Sequence, residues 1–288
     1  MSYLAAATKA KPSAPMILIN GFPGSGKTSL AGLFPSPIFI QAEKASTVFE
    51  VMPEDQQPDF LPQLPAADKA RMISTKATVR EQLLELATAD HPFKTVVFDT
   101  VTSLNDLIER EVVEFDEKGA DSIGNAAGGY HKGYDVSAGH HADIIRMCKH
   151  LTNKGIAVVF LAHIGVQKMK NRPDESAEYS VYATGMYEKS RALYVKHSDA
   201  VLYLKSRQFV SGQESDKKGK QTKMGRVLDT GERVLICSSD GTVGYVDAKN
   251  RYNMPQEIDC PKGENPILQY IPFFTSQPTN TNTNNITE

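Results

Sequence analysis

Cysteine is scarce in this sequence: Cys148, Cys237 and Cys260 stand far apart, and no two of them form a CxxC pair. That spacing argues against a disulfide framework and against a zinc site, which needs thiolates or imidazoles at short intervals. His131, His140 and His141 lie close in sequence but lack the cysteines or carboxylates that complete a known ligand set. No apolar run approaches the roughly eighteen residues of a membrane span. The opening MSYLAAATKAKPSAP has lysines but no continuous apolar segment of the kind that directs export, so a cytoplasmic protein without a membrane partner is expected. Charge of one sign is missing too. The chain of 288 residues sets 32 Lys and Arg against 34 Asp and Glu, for a net charge of -2. Any contact with a polyanion must therefore be local, and one stretch is suited to it. Between Lys205 and Arg226 seven basic residues face two acidic ones, although a solvated lysine loop reads the same way.

What the sequence has is ordered alternation. Short aliphatic and β-branched runs recur at 16–19 (MILI), 38–40 (IFI), 95–98 (TVVF), 156–162 (IAVVFLA), 200–204 (AVLYL) and 233–237 (RVLIC). Runs this continuous suit strands covered on both faces. Between them lie helical patterns. Thr78 and Glu81 offer a capping box before Leu83, Leu84, Leu86 and Ala87, and His91-Pro92 ends that segment. From Val101 to Phe115, Leu104, Leu107, Ile108 and Val112 recur at three- and four-residue intervals, and Ile144, Ile145, Cys148 and Leu151 form a further stripe. Strand, helix and strand in repetition predict an α/β fold with a mostly parallel central sheet flanked by helices. Residues 1–14 are expected to be flexible, 15–258 to form the core, and 259–288 to be a C-terminal segment ending in a disordered Thr/Asn-rich tail.

The most specific signal is Gly21-Phe22-Pro23-Gly24-Ser25-Gly26-Lys27-Thr28, which fits GxxxxGK(S/T) between an apolar strand and a helical stretch, Thr28 to Leu33. Glycines let successive backbone N–H groups turn inward onto phosphate oxygens, and the following helix adds positive potential at its start. Gly21, Pro23, Gly24, Ser25, Gly26, Lys27, Thr28 and Ser29 are thus candidate nucleotide-binding residues, with Lys27 reaching the outer phosphates and Thr28 ligating Mg²⁺. Asp99, closing the run Thr95-Val96-Val97-Phe98, supplies the second carboxylate that such a magnesium site needs, though it could also cap the following helix. Thr100 stands where many such ATPases carry a glutamate base, so the base must come from elsewhere. Glu43, just past the strand 38–40, is the next candidate, with an ordinary exposed loop glutamate as the alternative.

Here the sequence resembles a known family. Phe39-Ile40-Gln41-Ala42-Glu43 is similar to the segment after the second core strand of RecA-type recombinases, whose glutamate activates water; Gln41 stands where that family has an aspartate. His163 ends the strand 158–162 where RecA-like proteins place a polar sensor of the γ-phosphate, usually glutamine. Ala248-Lys249-Asn250-Arg251, after a short strand at 244–247 and before Pro255, resembles the K-x-R element that reaches into a neighbouring subunit's ATP site. In order and spacing the whole is similar to phage-encoded RecA-like ATP-binding proteins of single-strand annealing and recombination.

The resemblance implies a RecA-like P-loop NTPase core with a C-terminal β extension. It implies a catalytic set of Glu43, Lys27, His163, Lys249 and Arg251, with ATP and Mg²⁺ as cofactors. It also implies a homo-oligomer, ring or filament, with ATP at the subunit interface and single-stranded DNA as partner; a single-strand-binding protein is a further candidate partner. Two loops are expected to contact DNA: the glycine-rich 116–139, and 163–186 with Lys168, Lys170, Arg172, Tyr179 and Tyr182, since cations follow phosphates and rings stack on bases. Two rival expectations stay open: an annealing module that uses ATP only as an assembly ligand, and a ring-forming helicase or packaging motor.

Overall fold

The computed structural model describes residues 7–276 apart from 10, 45, 170–178, 212–213, 216–220, 224–225 and 239–245. Its centre is a ten-stranded sheet. In chain order the elements are β1 (Met16–Gly21), α1 (Lys27–Ala31), β2 (Pro37–Gln41), β3 (Asp59–Phe60), α2 (Thr75–Thr88), β4 (Thr95–Asp99), α3 (Val101–Glu114), α4 (Lys132–Asn153), β5 (Ala157–Met169), β6 (Tyr179–Thr184) and α5 (Glu188–His197). They continue with β7 (Ala200–Ser211), β8 (Glu214–Ser215), β9 (Gln221–Lys223), β10 (Arg226–Ile236), β11 (Lys249–Asn250), β12 (Glu257–Asp259) and α6 (Pro272–Thr275). The strand order is β12-β10-β7-β1-β5-β4-β2-β3, with β11 on β7 and β6 on β5. From β3 to β7 the neighbours are parallel; β10 and β12 add an antiparallel extension beyond β7.

All six apolar runs are strands, and the burial explains why. Ile17, Leu18, Ile19, Val96, Val97, Val158, Val159, Phe160 and Leu161 are each wholly buried, because alternate residues feed two different cores. One core lies between the sheet and α2, α3, α4 and α5, and holds Leu18, Phe98, Phe160, Leu104, Ile108, Ile145 and Tyr194. The other, on the opposite face, holds Ile17, Ile19, Leu30, Phe39 and Leu202, and draws in Cys260, Ile267 and Ile271 from the end of the chain. The packed body therefore continues past 258 rather than ending there. The three cysteines are buried free thiols.

Several sequence expectations change at element ends. The helix expected to start at Thr78 starts at Thr75, because Ser74 is the cap: its hydroxyl accepts the Ala77 N–H at 3.0 Å, whereas the Thr78 hydroxyl donates back to the Ser74 carbonyl. The glycine-rich stretch 116–139 is a loop only to His131, since Gly133, Ser137 and His141 give α4 a buried face upstream of the apolar stripe. The described residues of 163–186 are largely strand, because β5 runs on to Met169 and pairs with β6 in an antiparallel arrangement. Of the strand expected at 244–247, Val246 forms a single bridge with Tyr182, and 244–245 lie outside the described residues. Also outside them are Lys170, Arg172, residues 1–6, the tail 277–288 and most of the basic stretch after Arg207. No helix of the described residues is long and apolar enough to cross a membrane.

Candidate active site

The carboxyl ends of the parallel strands converge on one edge. Gly21 of β1 is in register with His163 of β5, and Gln41 of β2 with Asp99 of β4. β2 is not beside β1, for β5 and β4 lie between them. Glu43 still reaches the site, because the Ala42 and Glu43 N–H groups both donate to the Asp99 carbonyl, at 2.9 and 3.2 Å, and turn the chain inward past β2.

The loop after β1 is shaped by its glycines at two points. At Gly26 φ is 88°, and a Cβ there would run into the Arg233 guanidinium; at Gly21 it would meet Ser25 Oγ at 2.5 Å and the Leu204 carbonyl at 2.9 Å. Neither position tolerates a side chain. Lys27 is nearly buried, and its ammonium donates to the carbonyls of Gly21 (3.0 Å) and Phe22 (3.1 Å). Burial lowers its pKa, against the pull of Asp99 and Glu43. The Thr28 hydroxyl donates to Asp99 Oδ2 at 2.7 Å. Those two oxygens are the hard donors a magnesium ion prefers. Asp99 is 1% exposed, and burial, reinforced by the nearby Glu43, pushes its pKa up to about 6 against the opposing Thr28 hydrogen bond. It does not cap α3; Thr100 does, accepting the Ser103 N–H at 3.2 Å.

His163 joins the halves of the site. Its Nε2 lies 3.3 Å from Glu43 Oε1 and its Nδ1 3.5 Å from Lys27 Nζ. The first turn of α3 braces both partners: the Ser103 hydroxyl donates to Glu43 Oε2 at 2.8 Å, and the His163 N–H donates to Thr102 Oγ1 at 3.2 Å. The hydrogen bond from His163 is the main reason the Glu43 carboxyl stays below the usual glutamate range and so ionised. Pro23, Gly24, Gly26, Lys27, Thr28, Ser29, Glu43, Asp99 and His163 line one cavity of about 470 Å³. The Ser25 hydroxyl is buried beside it with no hydrogen-bond partner among the described residues, as expected of a group built to meet a ligand. A triphosphate with its cation fits this set of donors.

The protein-family comparison agrees with that geometry, matching residues 13–252 to the AAA domain. The chain belongs to the AAA domain family. It is thus a P-loop ATPase domain, and the mostly parallel sheet flanked by helices is the fold that goes with it. No curated protein matches the chain.

Of the residues singled out in the sequence, the AAA domain brings together the glycine loop, Lys27, Thr28, Asp99, Glu43 and His163. It places Lys249 and Arg251 elsewhere. β11 pairs with the start of β7, so both lie at the opposite edge of the sheet from the chain's own P-loop. The Lys249 ammonium donates to the carbonyls of Val195 (3.0 Å), Lys196 (3.0 Å) and Ser198 (2.6 Å), closing the end of α5. Arg251 donates to Asp199 Oδ1 at 3.0 Å, and Asp199 in turn accepts the Met16 N–H that opens β1. Lys168 is exposed on the β5–β6 hairpin, Tyr179 begins β6, and the Tyr182 ring meets Phe22 of the P-loop edge-on at 5.5 Å.

Two cations escaped the sequence reading. Arg233 of β10 reaches the Gly26 carbonyl at 3.4 Å while donating to the carbonyls of Cys260 and Pro261. With Lys262, Ser29 and Leu33 it lines a trough of about 360 Å³ that shares Gly24 and Gly26 with the main cavity. The only sequence signal was that Arg233 heads an apolar strand, a poor place for a charge unless something meets it.

Proposed function

We propose that this AAA domain is a magnesium-dependent ATPase that assembles on single-stranded DNA and promotes annealing or recombination. The observation that carries the reading is the position of His163. It touches Lys27 and Glu43, and its own strand runs without a break into the β5–β6 hairpin, where Val166 and Lys168 are exposed. A change at the outer phosphate is thereby coupled mechanically to a surface suited to a polyanion. Glu43, ionised and held by Ser103 and His163, orients the attacking water and accepts its proton. Lys27 would hold the outer phosphates, and Thr28 and Asp99 would hold a magnesium ion, which would supply neutralisation of phosphate charge.

The test is hydrolysis with and without single-stranded DNA at low salt, in the wild type and in Glu43→Gln. The expected result is stimulation by DNA in the wild type and loss of at least about a hundredfold in turnover in the variant, with nucleotide binding retained. Equal rates with and without DNA overturn the DNA role. Unchanged behaviour of Glu43→Gln would place the chain among annealing modules for which ATP is only an assembly ligand.

A further inference from the structure

The loop before α4 ends in five consecutive residues at positive φ: Ala127 (55°), Gly128 (88°), Gly129 (81°), Tyr130 (53°) and His131 (60°). Glycine takes this conformation freely, whereas Ala127, Tyr130 and His131 hold it against their own Cβ atoms. The surroundings enforce it. The Ala127 N–H donates to Asp116 Oδ1 at 2.9 Å, and the His131 and Lys132 N–H groups donate to the Gly124 and Gly129 carbonyls at 3.1 Å each.

What this contour achieves is display. Tyr130 is 93% exposed. The His131 ring stacks over Tyr134 at 6.0 Å with planes 27° apart, and Tyr134 stacks on Tyr187 at 4.1 Å with planes 20° apart. Aromatic pairs around the buried Tyr194 meet edge-on instead, at 70° and 85°. Parallel rings at a surface, with Tyr187 exposed, leave a flat face for a further planar group.

The stack lies on the nucleotide edge of the sheet. α4 starts there and runs back toward the beginning of β5, and Tyr187 follows β6, whose end returns to the level of His163 through the Gly185 N–H to the His163 carbonyl at 2.8 Å. Lys132 is exposed next to the stack, and Lys168 is exposed on the hairpin along the same edge. Lys189 binds the Asp135 carboxylate beside the rings and offsets its charge.

We propose that Tyr134 and Tyr187, with Tyr130 and His131 at their side, form a stacking platform for the unpaired bases of single-stranded DNA, while Lys132 and Lys168 follow its phosphates. The assignment rests on the DNA reading above and names the surface that reading requires. Bases in a duplex already cover one another's faces, so only a single strand offers a face to such a ladder.

The test uses the full chain with a non-hydrolysable ATP analogue and oligothymidylate carrying 2-aminopurine, whose fluorescence is quenched on stacking. Tyr134→Leu and Tyr187→Leu are expected to weaken binding roughly five- to a hundredfold and to lose the quench. Tyr187→Phe, which keeps the ring, stays near wild type. Tyr130→Ala touches no core, so it carries the expectation of weaker binding even if the other variants fold poorly. Basal hydrolysis without DNA stays unchanged in all four. Wild-type affinity and quench in Tyr134→Leu, Tyr187→Leu and Tyr130→Ala overturn the platform while leaving the DNA reading standing. A wild type that hydrolyses ATP but binds no oligonucleotide overturns the DNA reading and the platform with it.

Discussion

The Asp99 carboxylate answers to two opposed demands. Holding a cation, as proposed above, would require it ionised, yet folding removes it from water, and its pKa rises from 3.8 to about 6. By pH 3.5 the folded chain carries it protonated and the unfolded chain mostly so, and it costs almost nothing. Above pH 6 the metal-free folded state bears the full desolvation cost, about 3 kcal/mol for a shift of this size. Asp99→Asn keeps an oxygen for the Thr28 hydroxyl and removes the charge. It is therefore expected to be more stable than wild type at pH 7.5 without magnesium, by up to about 3 kcal/mol in urea denaturation, with no gain at pH 3.5, and to be inactive in hydrolysis. An unchanged or lower urea midpoint at pH 7.5 would rule out this account. The glycine loop was legible in the sequence because strand, turn and helix come from one short stretch of chain, and Asp99 because it closes an unbroken apolar strand, although its partner Thr28 is distant in the chain. Arg233, Lys262 and Ser103 were not legible, because each reaches the site from a distant part of the chain and only folding sets the distance.

Among the elements, α3, α4 and α5 meet through a buried polar chain. His141 Nδ1 lies 2.8 Å from the Tyr194 hydroxyl and its Nε2 3.2 Å from Asn105 Oδ1, while Asn105 donates to Glu109 at 2.9 Å. Burial drops the His141 pKa to about 3, from an ordinary 6.5. The folded state then binds fewer protons than the unfolded one between those values. The stability His141 contributes is whole above pH 6.5 and is lost as pH falls toward 3, by about 1.4 kcal/mol per unit. Asp99 works in the opposite sense between pH 3.8 and 6, so the wild type conceals both. His141→Asn is expected to remove this acid-side loss: between pH 4 and 6 the wild-type stability minus the variant's should rise with pH at about that slope. Parallel curves would place the proton elsewhere. The strands were readable from composition because burial on both faces leaves no polar alternation to confuse the pattern. Helix starts were not, since Thr78 and Ser74 are both capping residues, and the choice between them fell to Glu111, which accepts from the Ser74 hydroxyl at 2.5 Å and the Lys76 N–H at 2.8 Å.

At the scale of the whole molecule, the sheet sets its two arginine-bearing ends apart. Arg251 lies at the edge where strands begin and the P-loop at the edge where they end, so one subunit cannot bring Arg251 to its own phosphates. A head-to-tail assembly brings one edge against the other, and such a heterologous contact propagates into a ring or filament. Lys249 is committed to three carbonyls at the end of α5, whereas the Arg251 side chain is 58% exposed and bonded to Asp199. In the head-to-tail assembly proposed above, Arg251 would be the residue to swing across, and a finger of this kind would be worth roughly 10³ to 10⁵ in rate. If it acts in trans, Arg251→Ala and Glu43→Gln should each be inactive alone, one lacking the finger it lends and the other lacking the base it keeps. Mixed, they complement: a Glu43→Gln subunit lends its Arg251 to the intact Glu43 site of its Arg251→Ala neighbour, and about a quarter of the interfaces in a random equimolar assembly regain both groups. Hydrolysis measured across mixing ratios should peak near equal amounts. A mixture no more active than its separate components, in assemblies shown by light scattering to contain both chains, would confine Arg251 to its bond with Asp199 and leave the domain to hydrolyse ATP without a neighbour's help.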